Sequence, residues 1–80
     1  MTNNVTEELL AIVDYLSNPD YIPQTAKKIA FNLCIPYQRT QGILTYLQKK
    51  GCIKRKDTLI ERIKMYPLVI ELIAKNVLKI

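Results

Sequence analysis

The sequence predicts a mainly α-helical fold with one small β-hairpin. Three observations indicate it: apolar residues recur at helical spacing in four segments, prolines or glycines separate most of these segments, and β-branched residues surround Asp57–Thr58. The chain has 80 residues, of which 49% are hydrophobic. That length suits one small domain, and that composition supplies enough apolar side chains for a core.

The first two helices are predicted over residues 4–17 and from residue 24 or 25 to residue 33. Apolar residues between positions 5 and 16 return to one face every three or four residues. Residues 17–23 end the first helix because they contain Pro19 and Pro23. In the second helix Thr25 is a candidate N-cap, and Ile29 and Leu33 lie on the inner face.

The third helix is predicted to begin at Pro36 and to stop at Gly51. Proline suits the first position of a helix, and glycine is typical just after its last turn. The predicted buried stripe consists of four residues: Thr40, Ile43, Leu44 and Leu47.

Residues 52–66 allow two interpretations. A β-hairpin with its turn at Asp57–Thr58 fits Ile53 and Ile60, since β-branched residues favour strands. A helix over residues 59–66 is the alternative, because Thr58 and Glu61 have the spacing of a capping box. We favour the hairpin.

The last helix is predicted over residues 67–80. Glu71, Lys75 and Lys79 form its single polar stripe, and the apolar surface around them is wider than one core contact requires. We expect the extra apolar surface of this helix to form a homodimer interface; the alternative is that it packs entirely against the first helix. The interface candidates are Val69, Leu72, Ile73 and Ile80.

Charge is segregated along the chain. Residues 1–20 carry four acids and no base, whereas residues 21–56, here called the basic segment, carry eight bases and no acid. These bases are Lys27, Lys28, Arg39, Lys49, Lys50, Lys54, Arg55 and Lys56. We expect the charge to stay uncompensated within the protein, which indicates a polyanionic partner, nucleic acid before an anionic membrane.

Other classes of function find little support in the composition. The chain has no histidine, no phosphate-binding glycine loop and no carboxylate cluster with metal spacing, so we expect no enzyme, no metal, no cofactor and no small-molecule substrate. Cys34 and Cys52 are expected to be buried free thiols, with a disulfide between them as the alternative. No apolar run is long enough for a membrane span and no signal peptide is evident, so a soluble, cytoplasmic protein is expected.

In the segment 24–64, apolar residues, one glycine and one base recur at the spacing of a known domain family. These residues are Ile29, Ala30, Leu33, Ile35, Thr40, Ile43, Leu44, Leu47, Gly51, Ile53 and Arg55. In this pattern the segment resembles the winged helix-turn-helix family of DNA-binding domains. The resemblance implies such a domain over residues 1–66, with an extra C-terminal helix over residues 67–80 as a dimerisation element. Two features depart from the family: Cys34 stands where glycine is usual in the turn, and Asp57–Thr58 makes a short wing tip.

The third helix is then expected to enter the major groove of double-stranded DNA. At about 100° per residue, the residues opposite the buried stripe or beside it are base-reading candidates: Gln38, Arg39, Gln41, Gly42 and Thr45. Candidates for DNA backbone contacts are Thr25, Lys27, Lys28, Tyr37, Lys49, Lys50, Lys54, Arg55 and Lys56. Gly42 costs the helix about 1 kcal/mol relative to alanine, which indicates close approach to DNA; the alternatives are neutral drift or a close contact inside the protein.

The expected function is sequence-specific binding of double-stranded DNA by a homodimeric transcriptional regulator that represses by occlusion. The alternative is a protein-interaction module of transcription machinery, whose basic face docks on an acidic protein.

Overall fold

A computed structural model of the chain describes residues 4–75. The elements in chain order are α1 (Asn4–Ser17), β1 (Gln24–Thr25), α2 (Ala26–Leu33), α3 (Tyr37–Lys49), β2 (Ile53–Lys56), β3 (Leu59–Arg62) and α4 (Tyr66–Ala74). The described chain is mainly helical with a small antiparallel sheet of strand order β1-β3-β2. The coarse prediction of fold class is therefore confirmed. No helix within residues 4–75 combines the length and apolar character needed to cross a bilayer.

The hairpin forms as predicted, and the alternative helix over residues 59–66 is wrong. Lys56 pairs with Leu59 across a two-residue turn, and Asp57 adopts a φ of 57° there. Aspartate tolerates this left-handed conformation better than most residues do. Strand β1 is not predicted from the sequence, because a strand of two residues is too short to show a period of two. Its residues pair with Ile60 and Leu59 of β3.

One core joins all four described helices to the hairpin. Ile12 and Leu16 of α1, Leu44 and Leu47 of α3, and Ile60 of β3 are each at most 1% exposed. In α4, Leu68 and Leu72 enter the same core. Helix α4 is thus part of the packed domain rather than an appendage to it.

Helices α2 and α3 end in the same way, with different residues. Beyond α2, the amides of Cys34 and Ile35 donate to the carbonyls of Phe31 and Ala30. Beyond α3, the amides of Gly51 and Cys52 donate to Gln48 and Leu47 in the same pattern. Both are Schellman motifs, which place one residue in the left-handed region. That residue is Gly51 (φ 78°) after α3 and Cys34 (φ 56°) after α2.

Two side chains anchor the sheet to the end of α1. Arg62 donates from Nη1 to the carbonyl oxygens of Leu16 (2.9 Å) and Asn18 (2.6 Å). The Leu16 carbonyl is one of the acceptors that the end of α1 leaves open. The Tyr21 hydroxyl donates to the carbonyl of Ile60, and burial raises the pKa of Tyr21. These contacts fix the hairpin relative to the helices, and they were not foreseen because they join residues far apart in the chain.

Candidate nucleic-acid interface

The exposed face of α3 is mainly polar, apart from Tyr37 (44% exposed) at its start and Gly42 near its middle. The predicted buried stripe is confirmed, since Thr40, Ile43, Leu44 and Leu47 are all buried. The opposite side therefore faces solvent, and its exposed residues are Gln38, Gly42, Thr45, Gln48 and Lys49, with Gln41 partly exposed. Helix α3 thus presents amide and hydroxyl groups to solvent on a rigid element.

Arg39 does not lie in the middle of this face. It turns toward α1, where its Nε donates to Glu8 Oε1 at 2.8 Å and its Nη2 donates to Oε2 at 2.8 Å. The Arg39 side chain stays 52% exposed, while that of Glu8 is 14% exposed. The hydrogen bond from Arg39 lowers the pKa of Glu8, and the same contact raises the pKa of Arg39. Base reading by Arg39 remains a prediction, and it requires this residue to leave Glu8.

Lys50, at the other end of α3, also forms an ion pair with an acid from another helix. Its Nζ lies 2.9 Å from Glu71 Oε1, and the Tyr46 hydroxyl donates to Glu71 Oε2 at 3.0 Å. Lys75 adds a longer contact to the same carboxylate. The hydrogen bonds from Lys50 and Tyr46 lower the pKa of Glu71 to about 2. This cluster ties α3 to α4.

The expectation that no acid compensates the basic segment is therefore wrong for three of its members. Arg39, Lys50 and Lys54 pair with acids from outside the segment, the last with Glu61 at 3.6 Å across the hairpin. The sequence alone does not reveal these partners, because each acid lies on a different helix or strand from the base that it pairs with. Within residues 4–75 the other five bases form no ion pair: Lys27, Lys28, Lys49, Arg55 and Lys56.

Arg55 joins the hairpin to α3. Its Nε donates to Gln48 Oε1 at 3.1 Å, and its Nη2 lies 3.4 Å from Thr45 Oγ1. Gln48 was not among the predicted site residues. The helical period could have identified Gln48 as a site residue. It follows Gln41 by seven positions, which is about two turns, and therefore lies on the same side of α3.

A cleft of about 430 Å³ separates the hairpin turn from the starts of α2 and α3. The side chains around it carry hydroxyl, amide, cationic and carboxylate groups, and its lining is Thr25, Ala26, Lys27, Tyr37, Gln41, Arg55, Asp57 and Thr58. The predicted N-cap is confirmed, since Thr25 Oγ1 accepts from the Lys28 amide at 3.1 Å. Several predicted DNA backbone contacts thus lie around one cleft.

Gly42 is exposed, and apart from its chain neighbours and the backbone of its own helix no heavy atom lies within 4 Å of the place where a Cβ would be. The alternative that a close contact inside the protein requires this glycine is therefore wrong for the described residues. A neighbouring cleft of about 360 Å³ between α1 and α3 is mainly apolar, with Leu9, Ile43 and Tyr46 in its lining. An added methyl group at Gly42 would thus meet open space.

The prediction that Leu72 belongs to a dimer interface is wrong. This side chain is 3% exposed because it packs into the core of its own chain, so it is not available to a partner. Val69 and Ile73 are partly buried, and Ile80 lies outside the described residues. The large exposed residues of α4 are Tyr66 (71%) and Ile70 (48%), which the sequence did not single out.

The two cysteines are free thiols, so the disulfide alternative is wrong for this structure. Cys52 is buried as expected, and burial raises the pKa of its thiol. Cys34 is exposed, contrary to expectation, because it occupies the turn after α2 rather than the helix face.

No protein-family model, curated protein or solved structure matched this chain.

Proposed function

We propose that the chain binds double-stranded DNA as a winged helix-turn-helix domain and represses transcription by occluding its site. In this proposal α3 is the recognition helix and the β2–β3 hairpin is the wing. One observation carries it: the exposed face of α3 is mainly polar, and five bases on α2, α3 and β2 have no acidic partner among residues 4–75. DNA phosphates would supply the missing negative charge.

The side chains on α3 suit the major groove, which is wide enough for one helix. Gln38 carries an amide that can pair with adenine, and the Thr45 hydroxyl can donate to a base edge. The Gln41 amide already donates from Nε2 to the Tyr37 hydroxyl at 2.7 Å, so its second N–H and its oxygen are the groups left for a base. Arg39 is secondary in this proposal, because Glu8 already holds its guanidinium.

The four lysines among these five bases supply affinity without sequence preference. Lys27 and Lys28 open α2, Lys49 ends α3, and Lys56 is in the wing beside its turn. Each lysine that neutralises a phosphate steepens the dependence of log K on log salt by about 0.9. The wild-type chain should therefore lose affinity for DNA steeply as salt rises.

Fluorescence anisotropy with a random-sequence duplex over a salt series tests this function. We expect Lys56→Ala to make the salt dependence shallower by about one phosphate contact. Lys75→Ala is the matched control, because Lys75 follows α4 and bonds Glu71. Absence of binding at low salt would contradict DNA binding.

A homodimer completes the proposal. Tyr66 and Ile70 are one helical turn apart on α4, and Ile73 continues the same side. Exposed apolar residues in such a row are typical of an interface. A second copy of α4 would cover them and set two recognition helices on one site with twofold symmetry.

One observation favours the alternative, a protein-interaction module. Phe31 on α2 is 82% exposed, and it lies one turn after Lys27 and Lys28. Aromatic residues such as phenylalanine are enriched at protein contacts. The anisotropy series separates the two functions, because the alternative predicts weak DNA binding with little salt dependence.

A further inference from the structure

Arg55 makes two side-chain hydrogen bonds to α3. From β2 it reaches Gln48 Oε1 at 3.1 Å through Nε and Thr45 Oγ1 at 3.4 Å through Nη2. Both acceptors belong to exposed residues, three positions apart on α3. Arg55 itself is only partly exposed, so the hairpin and α3 hold its side chain between them.

The chemistry of the guanidinium fixes how these two partners are oriented. Arginine has five N–H donors and no acceptor, so Arg55 can only donate to the side-chain oxygen of Gln48. The NH₂ group of Gln48 must then point away from Arg55, toward solvent. Thr45 uses an oxygen lone pair toward Arg55, which leaves its hydroxyl hydrogen free to donate elsewhere. Both residues therefore present hydrogen-bond donors at this end of the helix face.

We propose that Arg55 is a positioning residue that makes Gln48 and Thr45 select base edges with acceptors, guanine before all others. Guanine offers two acceptors in the major groove, whereas cytosine offers a donor. This inference rests on the proposed DNA binding and adds a base preference to it. It also gives Arg55 a role other than the DNA backbone contact that the sequence predicts.

Gln48→Glu tests the inference. The carboxylate still accepts from Arg55, but it replaces the outward NH₂ donor with an acceptor. We expect site selection from a randomised duplex pool to change from guanine to cytosine at one position, since glutamate accepts from the cytosine N4 amine. The preference for the new base should be about tenfold. Asn18→Asp is the matched control, because it makes the same amide-to-carboxylate change at an exposed residue outside α3 and the hairpin, and it should leave the base preference unchanged.

Arg55→Lys tests the positioning role separately. Lysine keeps the charge but lacks the planar fork that holds two acceptors at once. We expect guanine preference at the same position to fall while the salt dependence stays at the wild-type value, a combination that a purely structural role would not produce. If Gln48→Glu binds DNA too weakly for site selection, the base preference of Arg55→Lys tests the inference on its own.

The outcomes separate the two proposals. If wild type selects sites and both variants keep its base preference, the inference about Arg55 is wrong and DNA binding stands. If the wild type does not bind duplex DNA at low salt, both are wrong.

Discussion

Glu8 and Arg39 form a two-point ion pair between α1 and α3, with Nε–Oε1 and Nη2–Oε2 distances of 2.8 Å each. A carboxylate and a guanine edge both engage the guanidinium fork of arginine in this bidentate manner. The acidic first helix thus holds the arginine that the sequence assigns to base reading. Any contact of Arg39 with DNA therefore competes with Glu8.

Glu8→Gln is expected to increase affinity for duplex DNA. The substitution removes a negative charge and loosens Arg39, which gains freedom to reach a phosphate or a base. The salt dependence should steepen by about one contact. Anisotropy measures both, with Asp14→Asn as the control, because Asp14 is an exposed acid of the same helix. Equal effects of the two variants would show that only net charge matters and that Arg39 is not released.

Gly42→Ala is expected to stabilise the protein and to weaken DNA binding. Alanine favours a helix interior by about 1 kcal/mol, and its methyl group meets no protein atom here. The same methyl group would hold the backbone of α3 farther from DNA. Urea unfolding measures the first effect and anisotropy the second. Unchanged or higher affinity in a more stable variant would contradict a role for Gly42 in close approach.

Cys34→Gly is expected to raise the free energy of unfolding by up to about 1 kcal/mol, because Cys34 has a left-handed backbone (φ 56°) that glycine adopts without strain. Gly51→Ala is the matched variant at the other Schellman motif (φ 78°), and it should lower stability by about the same amount. Urea unfolding under reducing conditions compares them. A destabilised Cys34→Gly would mean that the thiol side chain contributes more than the backbone strain costs.

Glu71 is expected to make stability fall in acid. Its pKa is about 2 in the folded chain against an ordinary value of 4.5, so the unfolded chain takes up the proton first. The stabilisation is complete above about pH 4.5 and is lost as the pH falls toward 2. Thermal unfolding across this range should show a shallower loss for Glu71→Gln, and also for Lys50→Gln, which removes the largest cause of the shift. A Glu71→Gln curve parallel to the wild-type curve would contradict this account.

Ile70→Glu is expected to abolish the proposed homodimer without unfolding the chain, because Ile70 is 48% exposed on α4. Analytical ultracentrifugation measures the mass in solution, and circular dichroism checks the fold. Leu72→Ala is the contrasting variant: it should destabilise the chain by about 2–5 kcal/mol through loss of core packing. A wild-type protein that sediments as a monomer at high concentration would contradict the dimer.

Elements with a regular period could be predicted from the sequence. The bounds of α1 and the buried stripe of α3 follow from apolar residues at helical spacing, and the hairpin turn follows from Asp57–Thr58 between β-branched strands. Strand β1 could not be predicted, because two residues carry no periodic signal. The buried side of α4 could not be predicted either, since that helix is apolar almost all round, and Leu72 was therefore assigned to the wrong face.

The candidate site was only partly predictable for a different reason. Exposure of Gln38 and Thr45 follows from the period of α3 alone. The partners of Arg39 and Arg55 depend on how α1 and the hairpin dock against α3, and that geometry has no local signature. Arg39 and Arg55 thus have side-chain partners from other elements that their positions in the sequence do not indicate.

The most direct test of DNA binding through α3 and the hairpin is a ¹⁵N–¹H NMR titration with duplex DNA at low salt. We expect the largest amide shifts at Gln38, Gln41, Thr45 and Lys56, with little change at Asp14 on α1. Shifts concentrated on α1 or α4, or no shifts at all, would contradict the proposed interface.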